Sequence, residues 1–212
     1  IILTCNMRQK NSIYNNLLNH IAHGTQLEYT IKTLNEIFST TPMPKSIKLC
    51  PIRREADQIN QTRLSEIDTE KHTYIARISG NINAKDFQAV EKLELKKGCR
   101  VMSLVNYPSN DICNGSLGTV IDISGELIIV QFDNGIVQEI TEHTWEKYDC
   151  TIHNGEVIPN VIGTYTQMPL KLAYAITIHK SQGQTYDAVN ISPDVFTSGM
   201  LYVALSRCRN YQ

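Results

Sequence analysis

The spacing of apolar residues changes twice along this 212-residue chain. Residues 9–39 place apolar side chains at helical spacing around a break at His23 and Gly24, which predicts two helices. The run SIKLC before Pro51 predicts a strand, and the following RREADQINQTRLSEI predicts a helix. The middle of the chain instead consists of short apolar runs, and the strand and helix pattern returns near Leu170. We therefore predict an α/β domain that is interrupted by a β-rich insertion.

The β-rich middle begins at Gly98 and contains the runs GCRVMSLV, LGTVIDI, ELIIVQF and IVQEI, separated by turn-forming residues. Between the last two, Asp133-Asn134-Gly135 predicts a tight hairpin, because Asn and Gly tolerate the positive φ of such turns. Four or five strands at this spacing predict a small barrel. Beyond it, KLAYAITI predicts one buried strand, DAVNIS a second, and TSGMLYVALSRC a helix opened by a Thr or Ser cap.

The charge of the chain is unevenly distributed. Residues 121–160 hold eight acidic residues against Lys147 alone, so the remainder carries about +6 within a formal net charge of −1. This balance excludes a uniformly positive surface, and any nucleic-acid contact must therefore be local. The acidic segment would repel phosphates and favours contact with a protein instead.

Composition limits the class of protein further. The six cysteines form no CxxC pair and have no histidines at zinc-finger spacing, which predicts reduced thiols and no metal site. The apolar runs are shorter than the ~20 residues that span a bilayer, so we expect no membrane contact and a soluble, cytoplasmic protein. The start IILTCNMRQ lacks an initiator Met and a signal-peptide pattern, and we expect a part of a longer protein.

The segment AYAITIHKSQGQTYDAV, residues 173–189, carries the most specific chemistry. Its apolar strand delivers a polar cluster onto a turn at Gly183; the cluster is Thr177, His179, Lys180, Ser181 and Gln182. Hydroxyl, imidazole, ammonium and amide donors beside a glycine suit the oxygens of a nucleic-acid backbone. The alternative is a polar loop that follows a core strand, and the residues alone leave both interpretations open.

Two motifs in this region resemble those of a known family. TIHKSQGQTYDAV resembles motif V of superfamily 1 helicases, and LYVALSRCRN, residues 201–210, resembles their motif VI. With NGSLGTV at 114–120 and NMRQ at 6–9, the chain resembles the RecD and Dda branch, also described as the UvrD-like helicase C-terminal domain.

The resemblance implies an α/β fold: a RecA-like domain of the P-loop NTPase type, lacking its own Walker A loop and carrying an inserted SH3-like β-barrel. The implied boundaries are residues 1–97 for the first part of this domain, called 2A in the family. The barrel, called 2B, would cover 98–165, and 166–212 would complete domain 2A with motifs V and VI.

The resemblance also implies roles for individual residues. Arg207 and Arg8 match the arginines that reach the γ-phosphate of ATP, where a guanidinium stabilises the charge of the transferring phosphoryl group. Gln9 and Gly183 would contact the nucleotide together with Arg207. The five polar residues of the motif V cluster would contact the backbone of single-stranded DNA. The alternatives are a surface role for Arg207 and a core-packing role for His179.

The function implied is that of the C-terminal motor half of an ATP-dependent DNA helicase, moving 5′ to 3′ and serving DNA repair or recombination. The sequence contains no GxxxxGK[ST] run, so an N-terminal RecA-like domain would hold ATP and Mg²⁺. We therefore expect no ATP hydrolysis by this chain alone. The implied partners are single-stranded DNA, ATP, that N-terminal domain and a protein at the acidic barrel. The alternatives are a subunit of a RecD-type exonuclease complex and an interaction module built on the barrel.

Overall fold

The computed structural model describes residues 11–38, 45–83, 86–153, 156–192, 194, 197 and 199–209. The chain divides into two compact units. The first, which we call the α/β unit, comprises residues 1–62 and 174–212. The second, which we call the antiparallel unit, comprises residues 63–173. The predicted insertion at 98–165 lies inside the antiparallel unit, and its precise boundaries stay predictions.

The described ranges contain four α-helices: α1 Ser12–His23, α2 Leu27–Ile37, α3 Arg53–Ser65 and α4 Met200–Leu205. The side chain of Asn11 caps α1 by accepting from the Tyr14 N–H at 3.0 Å, and Gly24 ends that helix at a φ of 66°. Helices α1, α2 and α4 share one apolar cluster, in which the Tyr14 hydroxyl donates to the Leu205 carbonyl at 2.8 Å. This cluster supports the helix that contains the first residues of the predicted motif VI.

The strands are numbered along the chain: β1 Ile47–Cys50, β2 Lys71–Ile75, β3 Arg77–Gly80, β4 Lys92–Lys96, β5 Arg100–Ser103, β6 Leu117–Ser124, β7 Leu127–Phe132, β8 Val137–Ile140, β9 His143–His153, β10 Glu156–Gln167, β11 Leu170–Leu172, β12 Ala175–Thr177 and β13 Val189–Ile191. The α/β unit contains a parallel sheet in the order β12-β1-β13. Helix α3 follows β1, and its Ala56 packs against Cys50 and Ala175.

The described residues of the antiparallel unit form three sheets, with strand orders β11-β5-β6-β7-β8, β3-β10-β9 and β2-β4. In the long hairpin of β9 and β10, Tyr165 is fully buried and stacks on Phe87 at 4.8 Å between ring centroids. Trp145 lies 6.1 Å from the ring of Tyr165. The Gln167 side-chain amide donates to three backbone carbonyls, at Tyr74, Val90 and Glu91. Backbone ladders and this buried amide together hold the unit.

Several sequence predictions are confirmed. The two helices in residues 9–39, the strand and helix around Pro51, and the four short strands of the middle segment all occur. The turn between β7 and β8 is exposed, and Gly135 has the positive φ expected, at 88°. Asp133 of this turn also forms a bidentate ion pair with Arg100, with both nitrogen to oxygen distances at 2.7 Å.

Other predictions need correction. The SH3-like barrel is not confirmed: within the described ranges the sheet is open, with β11 and β8 as its two edges. KLAYAITI is not one strand, because β11 pairs with β5 of the antiparallel unit while β12 pairs with β1 of the α/β unit. The predicted Thr or Ser cap of α4 is wrong, because the cap residue is Gly199 and the Met200 N–H bonds to the Thr197 carbonyl. The α/β class itself is confirmed. None of the helices in the described ranges is long and apolar enough to cross a membrane.

Candidate functional site

The candidate site lies where two neighbouring parallel strands of the α/β unit end. Cys50, the last residue of β1, is the register partner of Thr177, the last residue of β12. The Ile178 N–H donates to the Cys50 carbonyl at 2.9 Å, so the pairing continues one residue beyond β12. Burial and the neighbouring Glu55 raise the pKa of the Cys50 thiol to about 12. This thiol therefore stays protonated and is a packing group rather than a nucleophile.

The chain turns sharply after β12 in a 3₁₀ turn, His179–Ser181. The Thr177 hydroxyl accepts from the Lys180 N–H at 3.3 Å, and the Ser181 N–H donates to the Ile178 carbonyl at 3.2 Å. Gly183 follows with a φ of 82°, and a Cβ at this position would meet no atom within 4 Å. The glycine is needed for its backbone conformation and not for space.

The turn sorts the predicted phosphate-binding side chains into two groups. His179, Lys180 and Gln182 are exposed. Ser181 is fully buried, and its hydroxyl donates to the Ile178 carbonyl at 2.6 Å. The exposed imidazole, ammonium and amide can reach a ligand outside the unit, whereas Ser181 and Thr177 stabilise the turn that presents them.

Arg207 is buried, with 7% of its surface exposed, and its side chain folds back onto this turn. Its Nη1 donates to the carbonyls of Ser181 and Gln184 at 3.4 and 3.3 Å. Its Nε donates to the Val203 carbonyl at 2.9 Å. The guanidinium thus joins helix α4 to the loop that follows β12, and the alternative of a solvated surface arginine does not describe it.

Tyr186 lies beside Arg207 in this arrangement. Its N–H donates to the Arg207 carbonyl at 2.9 Å, and its carbonyl accepts from the Arg209 N–H at 3.2 Å. The Tyr186 hydroxyl is buried and has no hydrogen-bond partner in the described part of the chain. Burial raises the pKa of this phenol above its ordinary value, which keeps it neutral.

The two units differ in formal charge. The sequence of the α/β unit contains ten Lys and Arg against six Asp and Glu, whereas that of the antiparallel unit contains ten against fifteen. Part of the acidic excess is paired within the antiparallel unit, as in the bidentate contact of Arg77 with Glu142 at 2.8 and 2.6 Å. The basic unit therefore carries the candidate phosphate-binding turn.

Two predicted nucleotide-contacting residues, Arg8 and Gln9, lie outside the described residues. Across the described ranges, no group of three or more His, Cys, Asp or Glu side chains could hold a metal ion. The residues described here therefore do not fit a magnesium site, and we derive no step through the metal.

Sequence reasoning missed the contact of Gln184 and assigned Asn60 no functional role. Gln184 offers a carbonyl to Arg207 from 23 residues away, which no local pattern shows. Asn60 contacts the start of β12, and here a signal was present: it lies four residues after the buried Ala56, on the same helical face. A polar residue on a core-facing stripe generally has a specific hydrogen-bond partner.

The motifs and their geometry define the class. The profile of the UvrD-like helicase C-terminal domain matches residues 172–211, which include the turn and Arg207. This match and the similarities given next confirm the resemblance to the C-terminal part of superfamily 1 helicases that was drawn from motifs V and VI.

Within that class the relatives are Pif1 proteins, consistent with the RecD and Dda branch. The chain is 33% identical to the ATP-dependent DNA helicase Pif1 of Bdellovibrio bacteriovorus, over 99% of this chain and 48% of that protein. Unliganded Pif1 from Bacteroides superposes with a TM-score of 0.88 at 34% identity, covering 98% of this chain and 50% of that one. Bacteroides Pif1 in complex with ADP-AlF3 and ssDNA gives a TM-score of 0.72 at 34% identity, covering 100% of this chain and 50% of that one. The chain thus spans about half the length of these proteins.

Proposed function

We propose that this chain is the C-terminal motor part of an ATP-dependent DNA helicase, and that it joins the site of ATP hydrolysis to single-stranded DNA. One observation carries the proposal: the Arg207 guanidinium bonds to the carbonyls of Ser181 and Gln184. A single side chain thereby links the predicted nucleotide-facing helix to the predicted DNA-facing turn. A link of this kind lets two ligands bias one conformational change, which coupling requires.

The DNA side of the proposal rests on exposure and charge. His179, Lys180 and Gln182 are exposed at the carboxyl edge of the sheet. Such donors suit phosphate oxygens, and phosphate contacts carry no sequence information. Thr177 and Ser181, predicted as direct contacts, act in this proposal by holding the turn through the bonds described above.

The ATP side of the proposal assigns Arg207 as the arginine that completes a nucleotide site shared with an N-terminal RecA-like domain. That domain would supply the Walker A loop and the magnesium ligands, and Arg8, Gln9 and Gly183 would add contacts to the nucleotide. An arginine at the γ-phosphate stabilises charge in the transition state. When bound, ATP would supply the phosphoryl group that is transferred to water, and Mg²⁺ would neutralise part of its charge.

The proposal also covers the domain assignment, the direction of movement and the biological setting. The α/β unit is a RecA-like domain 2A, and strands β5 to β8 belong to the 2B insertion. Movement runs 5′ to 3′ in the cytoplasm, in DNA repair or recombination. The exonuclease-complex role and the protein partner at the acidic segment stay predictions.

ATPase activity of the full-length protein tests the proposal. We expect Mg²⁺-dependent hydrolysis that oligo(dT) stimulates, and no hydrolysis by the 212-residue chain alone. Arg207→Ala should lower turnover by about 10³-fold, the loss typical of a missing arginine finger. Arg209→Ala is the matched control, since Arg209 lies two residues away and is 63% exposed. Equal effects of the two substitutions would remove Arg207 from the nucleotide site.

The DNA contact is tested through His179. In the full-length protein, His179→Ala should reduce oligo(dT)-stimulated ATPase more than basal ATPase, and the loss of a phosphate contact should make DNA stimulation less dependent on salt. The defect should also be similar on all single-stranded sequences, because the backbone is being contacted. His23→Ala on α1 is the matched control. Because His179 is exposed, the core-packing alternative does not describe it; a lower melting temperature with an unchanged stimulation ratio would instead mean that His179 stabilises the turn and does not contact DNA.

A further inference from the structure

Strand β12 has a hydrogen-bonded neighbour on one side only in the part of the chain that the structure describes. Within the described residues it is an edge strand, three residues long, paired with β1. The Tyr174 carbonyl accepts from the Lys48 N–H at 2.9 Å, and the Ile178 N–H donates to the Cys50 carbonyl, so residues 174, 176 and 178 face β1. Because successive residues of a strand alternate in direction, the backbone groups of Ala175 and Thr177 face the open edge.

Asn60 of helix α3 occupies this open edge. Its Nδ2 donates to the Ala175 carbonyl at 2.8 Å, and its Oδ1 accepts from the Ala175 N–H at 3.0 Å. The Tyr174 N–H also donates to Oδ1 at 3.0 Å. A carboxamide offers the same donor and acceptor as a peptide group. The Asn60 side chain therefore pairs with Ala175 as a neighbouring strand would.

The helix that carries Asn60 is itself fixed at its other end. Glu55 accepts from the Ser192 hydroxyl at 3.1 Å, just after β13, and from the Lys48 ammonium at 3.1 Å. Between them, Ala56 packs on Cys50 and Ala175. Helix α3 thus contacts β1, β12 and the residue that follows β13, and Asn60 is its polar contact to β12.

We propose that Asn60 is a positioning residue for DNA binding: by completing the open edge of β12, it sets the place of Thr177 and so of the turn that presents His179 and Lys180. Thr177 is the next residue to face that edge, and its hydroxyl accepts from the Lys180 N–H. The chain of contacts runs from Asn60 through Ala175 and Thr177 to Lys180. This inference rests on the function proposed above.

The first test uses ATPase activity of the full-length protein. Asn60→Ala should raise the oligo(dT) concentration for half-maximal stimulation by about tenfold, while basal ATPase stays within about twofold; tenfold corresponds to ~1.4 kcal/mol, the scale of a lost buried hydrogen bond. Asn60→Asp keeps the acceptor and loses the donor, so it should fall between Asn60→Ala and the unchanged protein. Gln61→Ala is the matched control, an exposed amide on the same helix. A uniform loss of basal and stimulated activity, with an unchanged half-maximal concentration, overturns the positioning role.

The second test separates this inference from the proposed function. Hydrogen exchange of the amides of Lys180, Ser181 and Gln182 reads the turn directly, with no DNA or ATP present. We expect these amides to exchange about tenfold faster in Asn60→Ala than in Gln61→Ala, because the turn loses its support. Unchanged exchange overturns the inference even if DNA stimulates the ATPase. If DNA does not stimulate the ATPase but the turn amides exchange faster in Asn60→Ala, the proposed function is wrong and the contact between Asn60 and the turn is supported. If Asn60→Ala does not fold, Asn60→Asp carries both measurements.

Discussion

The two units of this chain are held together in different ways. The parallel sheet of the α/β unit has strands of three or four residues, whereas β9 and β10 of the antiparallel unit have eleven and twelve. Short strands supply few ladder hydrogen bonds, and side chains such as Asn60 and Arg207 add to them. The long hairpin needs no such additions along most of its length, because its backbone pairs residue by residue.

This difference affects what each unit can do. A sheet held by side chains can present a turn whose position depends on a few contacts, and these contacts can change when a ligand binds. A long antiparallel ladder changes only when many hydrogen bonds break together. We therefore expect ligand-dependent movement to concentrate around the turn at 178–184, and single side-chain substitutions to act more locally in the antiparallel unit.

The largest loss of stability that can test this comparison is expected at the ion pair of Arg100 and Asp133. Arg100 is 8% exposed, and Asp133 binds its guanidinium with two bonds of 2.7 Å. Asp133→Ala should lower the free energy of unfolding by about 3 kcal/mol, near the lower end for a buried pair, because the Asp133 side chain remains 42% exposed. Urea unfolding followed by circular dichroism measures this, with Asp122→Ala as the exposed control. A loss below ~0.5 kcal/mol would show that backbone pairing alone holds the hairpin of β7 and β8.

Arg207→Ala tests the side-chain dependence of the α/β unit. Removing the guanidinium takes a donor from the carbonyls of Ser181 and Gln184, one of which belongs to a fully buried residue. We expect a loss of about 2 kcal/mol in unfolding free energy, in the range for bonds to a charged donor. Thermal unfolding measures it, with Arg209→Ala for comparison. Equal stability of the two variants would mean that the unit does not depend on this contact.

Gly135→Ala probes the hairpin tip. The φ of 88° disfavours any side chain, while a Cβ would meet no atom within 4 Å. Only backbone strain should therefore act, and we expect a loss of about 1 kcal/mol. Hydrogen exchange should place the loss in β7 and β8, leaving the amides of the α/β unit unchanged. Faster exchange in both units would contradict the expectation that the substitution destabilises only β7 and β8.

Tyr186→Phe should have the smallest effect. The Tyr186 hydroxyl is buried and lacks a hydrogen-bond partner among the described residues, so its removal costs no bond seen there. We expect a stability change within about 0.5 kcal/mol, with a gain as the favoured direction. A loss above ~1 kcal/mol in urea unfolding would reveal a partner that matters to the α/β unit.

Local patterns predicted much of the fold. The helical spacing around Gly24, the short strands after Gly98 and the Asn-Gly turn at 134–135 depend on neighbouring residues, and all three are present. No pattern predicted β9 and β10, because residues 148–151 and 156–161 are exposed on both faces and show no alternation of buried and exposed side chains. Their pairing is set by the hairpin as a whole. The split of KLAYAITI likewise depends on which distant strands its two halves pair with.

The features of the candidate site also divide into those that local sequence predicted and those that depend on tertiary packing. The polar cluster after β12 was predictable, since a strand, a 3₁₀ turn and Gly183 are consecutive. The inward direction of Ser181 was not, because a serine hydroxyl serves equally well inside a turn or on its surface. The contact between Arg207 and Ser181 spans 26 residues and follows from tertiary packing. Sequence therefore indicated which residues form the turn and left open which of their side chains face outward.

Trp145 makes the two units optically distinguishable. It is the only tryptophan of the chain, and its ring lies 4.6 Å from His143 and 6.1 Å from Tyr165 in the antiparallel unit. Intrinsic tryptophan emission therefore reports on that unit and does not report on the α/β unit. Burial lowers the pKa of His143, so quenching of this emission by a protonated imidazole should begin only below the usual range near 6.5. A melt recorded by emission and by circular dichroism together would show, from coincident or separate midpoints, whether the two units unfold as one.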